Sequence, residues 1–214
     1  YYNYSINVKL KDVKKENKFG KVKEEEWQEI EVKRNSKYKP VIIGMGPAGL
    51  FAGLLLVDNG IKPIILERGK CVEERIKDVE SFANNREFSS TSNIQFGEGG
   101  AGTFSDGKLN TGNSANMYSR KVLEEFVRFG APEEILYTAK PHIGTDVLAV
   151  VVKNIRKYCE SLGAQIYFRH RLENIDITEG RVRSITVYDS ISDKAIIREC
   201  ESVCLAIGHS ARDT

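Results

Sequence analysis

A glycine-rich turn between two apolar segments is the feature that most constrains the fold of this chain. Residues 41–43 form a short run of Val and Ile that is typical of a buried strand. Residues 47–59 predict a helix that is apolar on nearly all sides and that Gly60 ends. Between them the chain reads Gly-Met-Gly-Pro-Ala-Gly over residues 44–49. A strand, a tight turn and a helix are therefore expected in direct succession.

The glycines of this turn suit a dinucleotide. Gly44 permits the tight turn, Gly46 lets the main chain approach a diphosphate, and Gly49 lets the helix pack closely on the strand. The first N–H groups and the dipole of the helix favour negative charge at its N-terminus. Because the turn also has the required strand and helix on either side, the pattern predicts a nucleotide-binding unit.

An acidic residue follows the second predicted strand, which covers residues 63–66. Glu67 lies 23 residues after Gly44, close to the spacing of about 20 residues at which a carboxylate accepts hydrogen bonds from a ribose. Its charge disfavours a 2′-phosphate and hence an NADP-type ligand, although the adjacent Arg68 weakens this preference. The alternative is a plain strand–helix turn with Glu67 as a surface charge.

A long segment rich in Gly, Ser and Asn, roughly residues 84–116, interrupts the α/β pattern. A loop of this length is either functional or disordered. Apolar residues within it that would pack, such as Phe96 and Phe104, argue against disorder. Its successive glycine N–H groups can form an anion-binding concavity, to which Lys108 adds a positive charge.

Composition and charge exclude several classes of protein. The 214 residues include 32 Lys and Arg against 30 Asp and Glu, a net charge of +2 that argues against nucleic-acid binding through bulk positive charge. No apolar run approaches the roughly 18–20 residues of a membrane span, and we expect no signal peptide. Four cysteines are too few for a disulfide scaffold, which favours a cytoplasmic protein.

The chain divides near residue 38. Residues 1–37 predict two short strands around a charged run, which we interpret as the remnant of a small N-terminal domain or a strap. Residues 38–214 follow an α/β pattern, with further helices predicted near 71–82, 118–129 and 146–162. A strand is predicted at 165–168, a three-stranded antiparallel meander at 172–177, 182–188 and 194–198, and a final strand at 203–207.

Five segments together resemble one bacterial family. They are Val41–Gly49, Leu66–Gly69, Phe96–Leu109, Lys140–Asp146 and Leu205–Thr214. The family is that of the uncharacterised FAD-dependent dehydrogenases, also labelled NAD(FAD)-utilizing dehydrogenases, within the glutathione-reductase-like flavoproteins. The resemblance covers roughly residues 39–214.

The resemblance implies a Rossmann-like FAD-binding domain, a parallel sheet with helices into which the three-stranded meander is inserted. It implies FAD as cofactor, with the ADP half on the first turn and Glu67, and with residues 96–109 against the diphosphate or the flavin. Gly208 resembles a second FAD contact, and Leu172 a position whose backbone meets adenine. Relatives continue past Thr214, so the chain is expected to be truncated relative to the family.

No histidine stands out as a catalytic acid or base, and flavin chemistry does not demand one. His142 precedes a predicted helix and could face the flavin, but a structural histidine at the helix entry is the favoured interpretation. His209 would lie near the cofactor, beside Gly208. His170, between two arginines, is expected at the surface.

The cysteines predict no metal site. Cys200 and Cys204 lack the second pair that a structural zinc would need, and we expect them on one face of a strand as structural thiols. Cys71 is expected at a helix start, where its thiolate would be favoured.

The interpretation is the FAD-binding portion of a flavin-dependent oxidoreductase, a dehydrogenase passing hydride between a nicotinamide (NAD(P)H) or organic small-molecule substrate and FAD. The alternatives are an NAD-binding dehydrogenase without flavin and a non-catalytic redox-sensing module that binds FAD or NAD. The predicted cofactor-binding residues are Gly44, Gly46, Pro47, Ala48, Gly49, Glu67, Arg68, Gly99, Gly100, Gly102, Thr103, Ser105, Gly107, Lys108, Leu172 and Gly208.

Overall fold

A computed structural model describes residues 37–105, 109, 117–138 and 142–208. The two strands predicted within residues 1–37 lie outside the described part of the chain, apart from residue 37 itself. Gly107, Lys108 and His209 also lie outside it. The predictions made for these residues stay predictions.

Strands and helices alternate from residue 41 onward. The elements are β1 (Val41–Ile43), α1 (Pro47–Asp58), β2 (Ile64–Glu67), α2 (Val72–Asn85), a 3-10 helix (Ala101–Phe104), α3 (Met117–Arg128), a second 3-10 helix (Glu133–Leu136), α4 (Thr145–Ser161), β3 (Gln165–Phe168), β4 (His170–Thr178), β5 (Arg181–Asp189), β6 (Lys194–Glu199) and β7 (Val203–Leu205). Within these ranges, no helix is both long and apolar enough to cross a lipid bilayer.

Four parallel strands form the central sheet in the order β3-β2-β1-β7. Ile43 of β1 pairs with Leu66 of β2 on one side and with Leu205 of β7 on the other. The chain runs outward from β1 to β3 and later returns to the opposite side of β1. In open α/β sheets, a reversal of this kind opens a crevice at the carboxyl ends of the strands, where ligands bind.

Strand β7 is shorter than the sequence predicts, because it ends at Leu205 rather than at Ile207. Its partner β1 ends at Ile43, where Gly44 turns the chain away. The N–H of Ala206 still donates to the carbonyl oxygen of Ile43 at 2.8 Å. The chain after β7 is thereby held beside the first turn.

Two apolar clusters cover the two faces of the parallel sheet, because neighbouring side chains of a strand point in opposite directions. Ile42 faces a cluster that includes residues of α1 and α4. Val41 and Ile43 face the other way and pack with Ile185 and Val187 of β5. The antiparallel strands β4, β5 and β6 form a separate sheet on this second face. The predicted fold class, a parallel sheet with helices and an inserted three-stranded meander, is confirmed.

Candidate dinucleotide-binding site

The first turn of the candidate site depends on Gly44. Its φ of 97° is a conformation that residues with a side chain rarely adopt. A Cβ at this position would lie 2.5 Å from the carbonyl oxygen of Ala206. The N–H of Gly44 donates to the carbonyl oxygen of Leu66 at 2.7 Å. The turn is therefore fixed against both neighbouring strands, and only glycine fits there.

Helix α1 begins immediately after this turn, with Gly46 as its N-cap residue and Pro47 in its first turn. Among the described residues, no side chain caps the helix, and no heavy atom lies within 4 Å of the position that a Gly46 Cβ would take. The N–H groups of Ala48 and Gly49 lack acceptors within the helix, as in the first turn of any α-helix. Ala48 is exposed and Gly49 is buried, and main-chain N–H groups without acceptors at a helix N-terminus are what a diphosphate requires.

The second glycine segment lies directly against the first. The N–H of Gly99 donates to the carbonyl oxygen of Met45 at 2.8 Å. A Cβ on Gly100 would lie 3.0 Å from Cδ of Pro47 and 3.5 Å from Cα of Gly46. Two segments that the sequence places far apart thus form one continuous surface at the carboxyl end of β1.

Two further glycines have open space beside them. No described heavy atom lies within 4 Å of a Cβ built on Gly102 or on Gly208. Gly208 has a positive φ of 76° and follows the end of β7 by three residues. At these two residues and at Gly46, an added side chain would meet none of the residues that the structure describes.

Glu67 braces the first turn with both oxygens of its carboxylate. Oε2 accepts a hydrogen bond from the N–H of Met45 and Oε1 accepts one from the N–H of Gly69, both at 2.7 Å. The residue is only 7% exposed. Each oxygen keeps a lone pair for a second donor. The predicted hydrogen bonds from a ribose therefore require only that the ribose reaches the edge of the carboxylate.

The other predicted site residues differ in how they are placed. Thr103 is buried, and its N–H donates to the carbonyl oxygen of Gly100 at 3.3 Å. Ser105 is exposed, and its hydroxyl donates to the carbonyl oxygen of Gly102 at 2.9 Å. The hydroxyl of Thr103 therefore lies beneath the loop, whereas that of Ser105 lies on its surface.

Arg68 and Leu172 lie in different surroundings. The guanidinium of Arg68 stacks on the ring of Phe96, 4.8 Å from its centroid, so the side chain bridges β2 and the glycine-rich loop. Leu172 lies in β4 and packs, half-buried, against the cluster between the two sheets. The side chain of Leu172 thus contributes to the core, and only its backbone remains as the predicted adenine contact.

Sequence reasoning missed Arg75, which is fully buried below the glycine-rich loop. Its guanidinium donates three hydrogen bonds to main-chain carbonyl oxygens, namely those of Asn93 at 2.7 Å, Ile94 at 2.8 Å and Glu98 at 2.6 Å. One signal was available in the sequence. Arg75 takes a position on the apolar stripe of α2 that Val72, Ile76 and Val79 define.

Glu98 is a second buried charge that the sequence did not reveal. Its Oε2 accepts a hydrogen bond from the N–H of Val72 at 2.7 Å, and its Oε1 accepts one from Nε of Arg156 at 2.9 Å. Burial, only partly offset by Arg156, raises the pKa of Glu98 to about 7. The loop is thus tied to the start of α2 and to α4.

Glu73 binds the other side of the Arg156 guanidinium, where its Oε2 accepts a hydrogen bond from Nη2 at 2.6 Å. Its Oε1 lies 3.1 Å from Nζ of Lys153. Burial opposes ionisation of Glu73, but its own N–H together with Lys153 and Arg156 lowers its pKa to about 2. Arg156 therefore lies between two carboxylates that titrate in different pH ranges.

Two predictions about single side chains are wrong. His170 is buried, not at the surface, because its ring packs 5.3 Å from that of Tyr167 and its Nδ1 lies 2.8 Å from the carbonyl oxygen of Phe168. Cys71 does lie at the N-cap of α2, but burial raises the pKa of its thiol, so the thiolate is not favoured. His142 is exposed, three residues before α4 begins.

Cys200 and Cys204 do not share one face of a strand. Cys200 follows β6 and is fully buried, whereas Cys204 lies in β7, pairs with Ile42 and is exposed. The prediction fails because β6 ends before Cys200, and the alternation of side chains does not continue between two strands of different sheets.

No family model matches the chain. An uncharacterized protein of Clostridium beijerinckii is 47% identical to it over 194 residues, which are 89% of this chain and 35% of that protein. The chain thus spans about a third of the length of this relative.

Solved structures are similar to the chain at low sequence identity. THI4 of Thermovibrio ammonificans is 18% identical, with 81% of this chain and 58% of that chain covered, at a TM-score of 0.50. The myxobacterial chondrochloren halogenase CndH, a variant of FAD-dependent halogenases, is 11% identical, with 82% and 38% covered, at a TM-score of 0.48. The likeness to THI4 shows the Rossmann-type fold alone.

Proposed function

We propose that this chain is the FAD-binding part of a flavin-dependent oxidoreductase, a dehydrogenase that passes hydride between a nicotinamide or organic substrate and FAD. The observation that carries this proposal is the contact of two glycine segments at the carboxyl end of β1. The N–H of Gly99 bonds to Met45 at 2.8 Å, and Gly100 lies against Pro47. A plain strand–helix turn does not need a second glycine segment packed on it.

The residues present fit a diphosphate-linked cofactor. Within the part of the chain that the structure describes, Gly46, Gly102 and Gly208 each have open space at the Cβ position, which supports close approach of a ligand to the main chain. The N–H groups of Ala48 and Gly49, at the positive end of the α1 dipole, would hold the diphosphate. Together these groups would hold the diphosphate part of a dinucleotide.

Glu67 gives the site its preference between nucleotides. The N–H groups of Met45 and Gly69 hold its carboxylate at the end of β2, at 2.7 Å each. In this position the carboxylate would accept hydrogen bonds from ribose hydroxyls and would repel a 2′-phosphate. We therefore expect the first turn to bind FAD or NAD in preference to NADP.

FAD supplies the redox chemistry when it is bound, because its ring accepts and donates hydride. The residues of this chain bind and orient the cofactor, and the remainder of a longer parent supplies the substrate side. We propose that residues 1–37 are a separate unit and residues 38–214 the FAD-binding domain, in a member of the bacterial family that the sequence resembles. All four cysteines are free thiols, which supports a cytoplasmic location.

The decisive experiment uses the full-length parent protein. It is purified, its visible spectrum is recorded, and it is titrated with FAD, NAD and NADP while binding is followed by calorimetry. We expect a flavin spectrum, or a gain of flavin absorbance on addition of FAD, and tighter binding of FAD than of NADP. A colourless protein that binds no FAD would contradict the proposal.

A second measurement separates an enzyme from a sensor. The FAD-loaded parent is mixed anaerobically with NADH or NADPH, and bleaching of the flavin is followed. Bleaching supports the oxidoreductase. Bound flavin that no nicotinamide or organic reductant bleaches would favour the redox-sensing alternative.

A further inference from the structure

We propose that Arg75 is the positioning residue of the dinucleotide site, and that it sets the glycine-rich loop in the shape that joins it to the first turn. The inference takes its ligand from the proposed function. The burial and the hydrogen bonds of Arg75 do not depend on that function. The side chain is fully buried, and arginine is rarely fully buried unless its polar groups have partners.

The three hydrogen bonds of Arg75 all go to the loop, and all go to its main chain. Nε bonds to Asn93, and the two terminal nitrogens bond to Ile94 and Glu98. The ring of Phe104 covers the guanidinium at 4.7 Å from its centroid. A single side chain of α2 thus contacts both ends of the loop segment that precedes the 3-10 helix.

The peptide group between Glu98 and Gly99 connects Arg75 to the cofactor site. In a trans peptide the carbonyl and the N–H point in opposite directions. The carbonyl of Glu98 accepts from Arg75 at 2.6 Å, while the N–H of Gly99 donates to Met45 at 2.8 Å. By holding the carbonyl on one side, Arg75 aims the N–H at the first turn on the other.

The close packing around Arg75 leaves little freedom for another arrangement. A Cβ on Gly97 would lie 2.8 Å from Cδ of Arg75. The loop can therefore pass over the Arg75 side chain only with a glycine at position 97. Burial lowers the pKa of Arg75 to about 10, with Glu67 and Glu98 opposing this, so the group stays charged at neutral pH. Lysine cannot replace it, because a single ammonium lacks the planar fork that reaches three carbonyls.

The test compares Arg75→Lys with Arg86→Lys in the full-length parent. Arg86 is exposed at the end of the same helix, so its substitution is a matched control. Hydrogen exchange is measured without FAD, and the dissociation constant for FAD is measured separately. In Arg75→Lys we expect exchange at the Gly99 N–H to rise by roughly tenfold or more, and FAD binding to weaken by a similar factor. The N–H of Ile185 in β5 should keep its protection, which a general loss of stability would not allow.

The outcomes are separable. If Arg75→Lys keeps both Gly99 protection and FAD affinity within about twofold of the parent, the inference is wrong. It is equally wrong if FAD binding weakens while exchange at Gly99 is unchanged. If the parent itself binds no FAD, the proposed function fails, and the exchange data alone then decide whether Arg75 shapes the loop.

A milder substitution covers the case in which Arg75→Lys does not fold. Phe104→Leu removes the ring over the guanidinium and leaves the three carbonyl acceptors in place. Phe88→Leu, at an exposed aromatic residue, is its control. Faster exchange at Gly99 in Phe104→Leu and not in Phe88→Leu supports the inference, and equal exchange in both contradicts it.

Discussion

The N–H of Gly99 donates a 2.8 Å hydrogen bond to the carbonyl oxygen of Met45, and this bond joins two turns that lie 54 residues apart in the chain. Either turn alone offers only a few main-chain donors. Joined, they form one surface at the N-terminus of α1, with open space at Gly46 and Gly102. A side chain added on the open side of this surface should therefore impair binding without impairing folding.

Gly46→Ala is the sharpest such substitution. Gly46 has a φ of −70° and no described heavy atom within 4 Å of its Cβ position, so alanine fits the folded chain. We expect the free energy of unfolding to fall by about 0.5–1 kcal/mol, because alanine is a poorer N-cap residue than glycine. The dissociation constant for FAD should rise roughly tenfold or more, because the methyl group occupies the space that the diphosphate needs. Thermal unfolding and calorimetric titration check the two values.

Gly44→Ala provides the contrast. Here the positive φ of 97° and the 2.5 Å approach of Ala206 both oppose a side chain. We expect a loss of about 1–3 kcal/mol of stability in addition to weaker FAD binding. Equal stability losses in Gly44→Ala and Gly46→Ala would contradict the distinction between a structural and a ligand-facing glycine.

Glu67→Gln should weaken both the turn and the cofactor site. The carboxylate accepts two N–H groups, whereas an amide offers one oxygen and turns its NH₂ group toward the second donor. A buried N–H left without an acceptor costs about 1–3 kcal/mol. Denaturant unfolding of Glu67→Gln measures the loss of stability. Glu80→Gln, at an exposed position of α2, is the control. A loss no larger in Glu67→Gln than in Glu80→Gln would rule out the bracing role.

The first strand, turn and helix were predictable because each is fixed by local chemistry. Gly44 needs a positive φ, Gly49 would place a Cβ 1.9 Å from the carbonyl oxygen of Gly44, and the run from Val41 to Ile43 has no polar residue to expose. These requirements are visible in the residue types themselves. The predicted strand 165–168 is also confirmed, and it begins two residues after Gly163, the glycine that follows the C-cap of α4.

The features that sequence reasoning missed depend on contacts between distant segments. Arg75 is buried because three carbonyl oxygens of a loop some twenty residues later surround it. His170 is buried because of a neighbouring ring and a backbone carbonyl, and β7 is short because β1 ends first. None of these partners can be identified from spacing alone. The contact between Gly99 and Met45 also joins distant segments. The sequence does not determine which way either glycine segment faces, so this contact could not be predicted from it.

The four cysteines should differ widely in their reaction with an alkylating reagent. Cys204 is exposed, whereas burial raises the pKa of Cys159 to about 12 and also raises that of Cys200. In the chain of residues 1–214 we expect iodoacetamide to modify Cys204 first, as followed by peptide mass spectrometry. Cys204→Ser should abolish the fast phase. Modification of Cys159 at a similar rate in the native chain would contradict the placement of these residues.

Stability should depend on pH through Glu98, whose pKa in the folded chain is about 7 compared with an ordinary value of 4.5. A raised pKa means that the folded state binds the proton more tightly than the unfolded state does. The resulting stabilisation is complete below pH 4.5 and is lost as the pH rises through about 7. Glu73 does not interfere, because its pKa of about 2 places its own change at lower pH.

The comparison of the parent chain with Glu98→Gln isolates this contribution. The free energy of unfolding is measured by denaturant titration at intervals between pH 5 and pH 7, which is the range where folded and unfolded Glu98 differ in protonation. The parent should lose up to about 1.4 kcal/mol more per pH unit than the variant, since glutamine does not titrate. Parallel pH profiles would show that Arg156 at 2.9 Å keeps Glu98 ionised, and that burial does not govern this carboxyl.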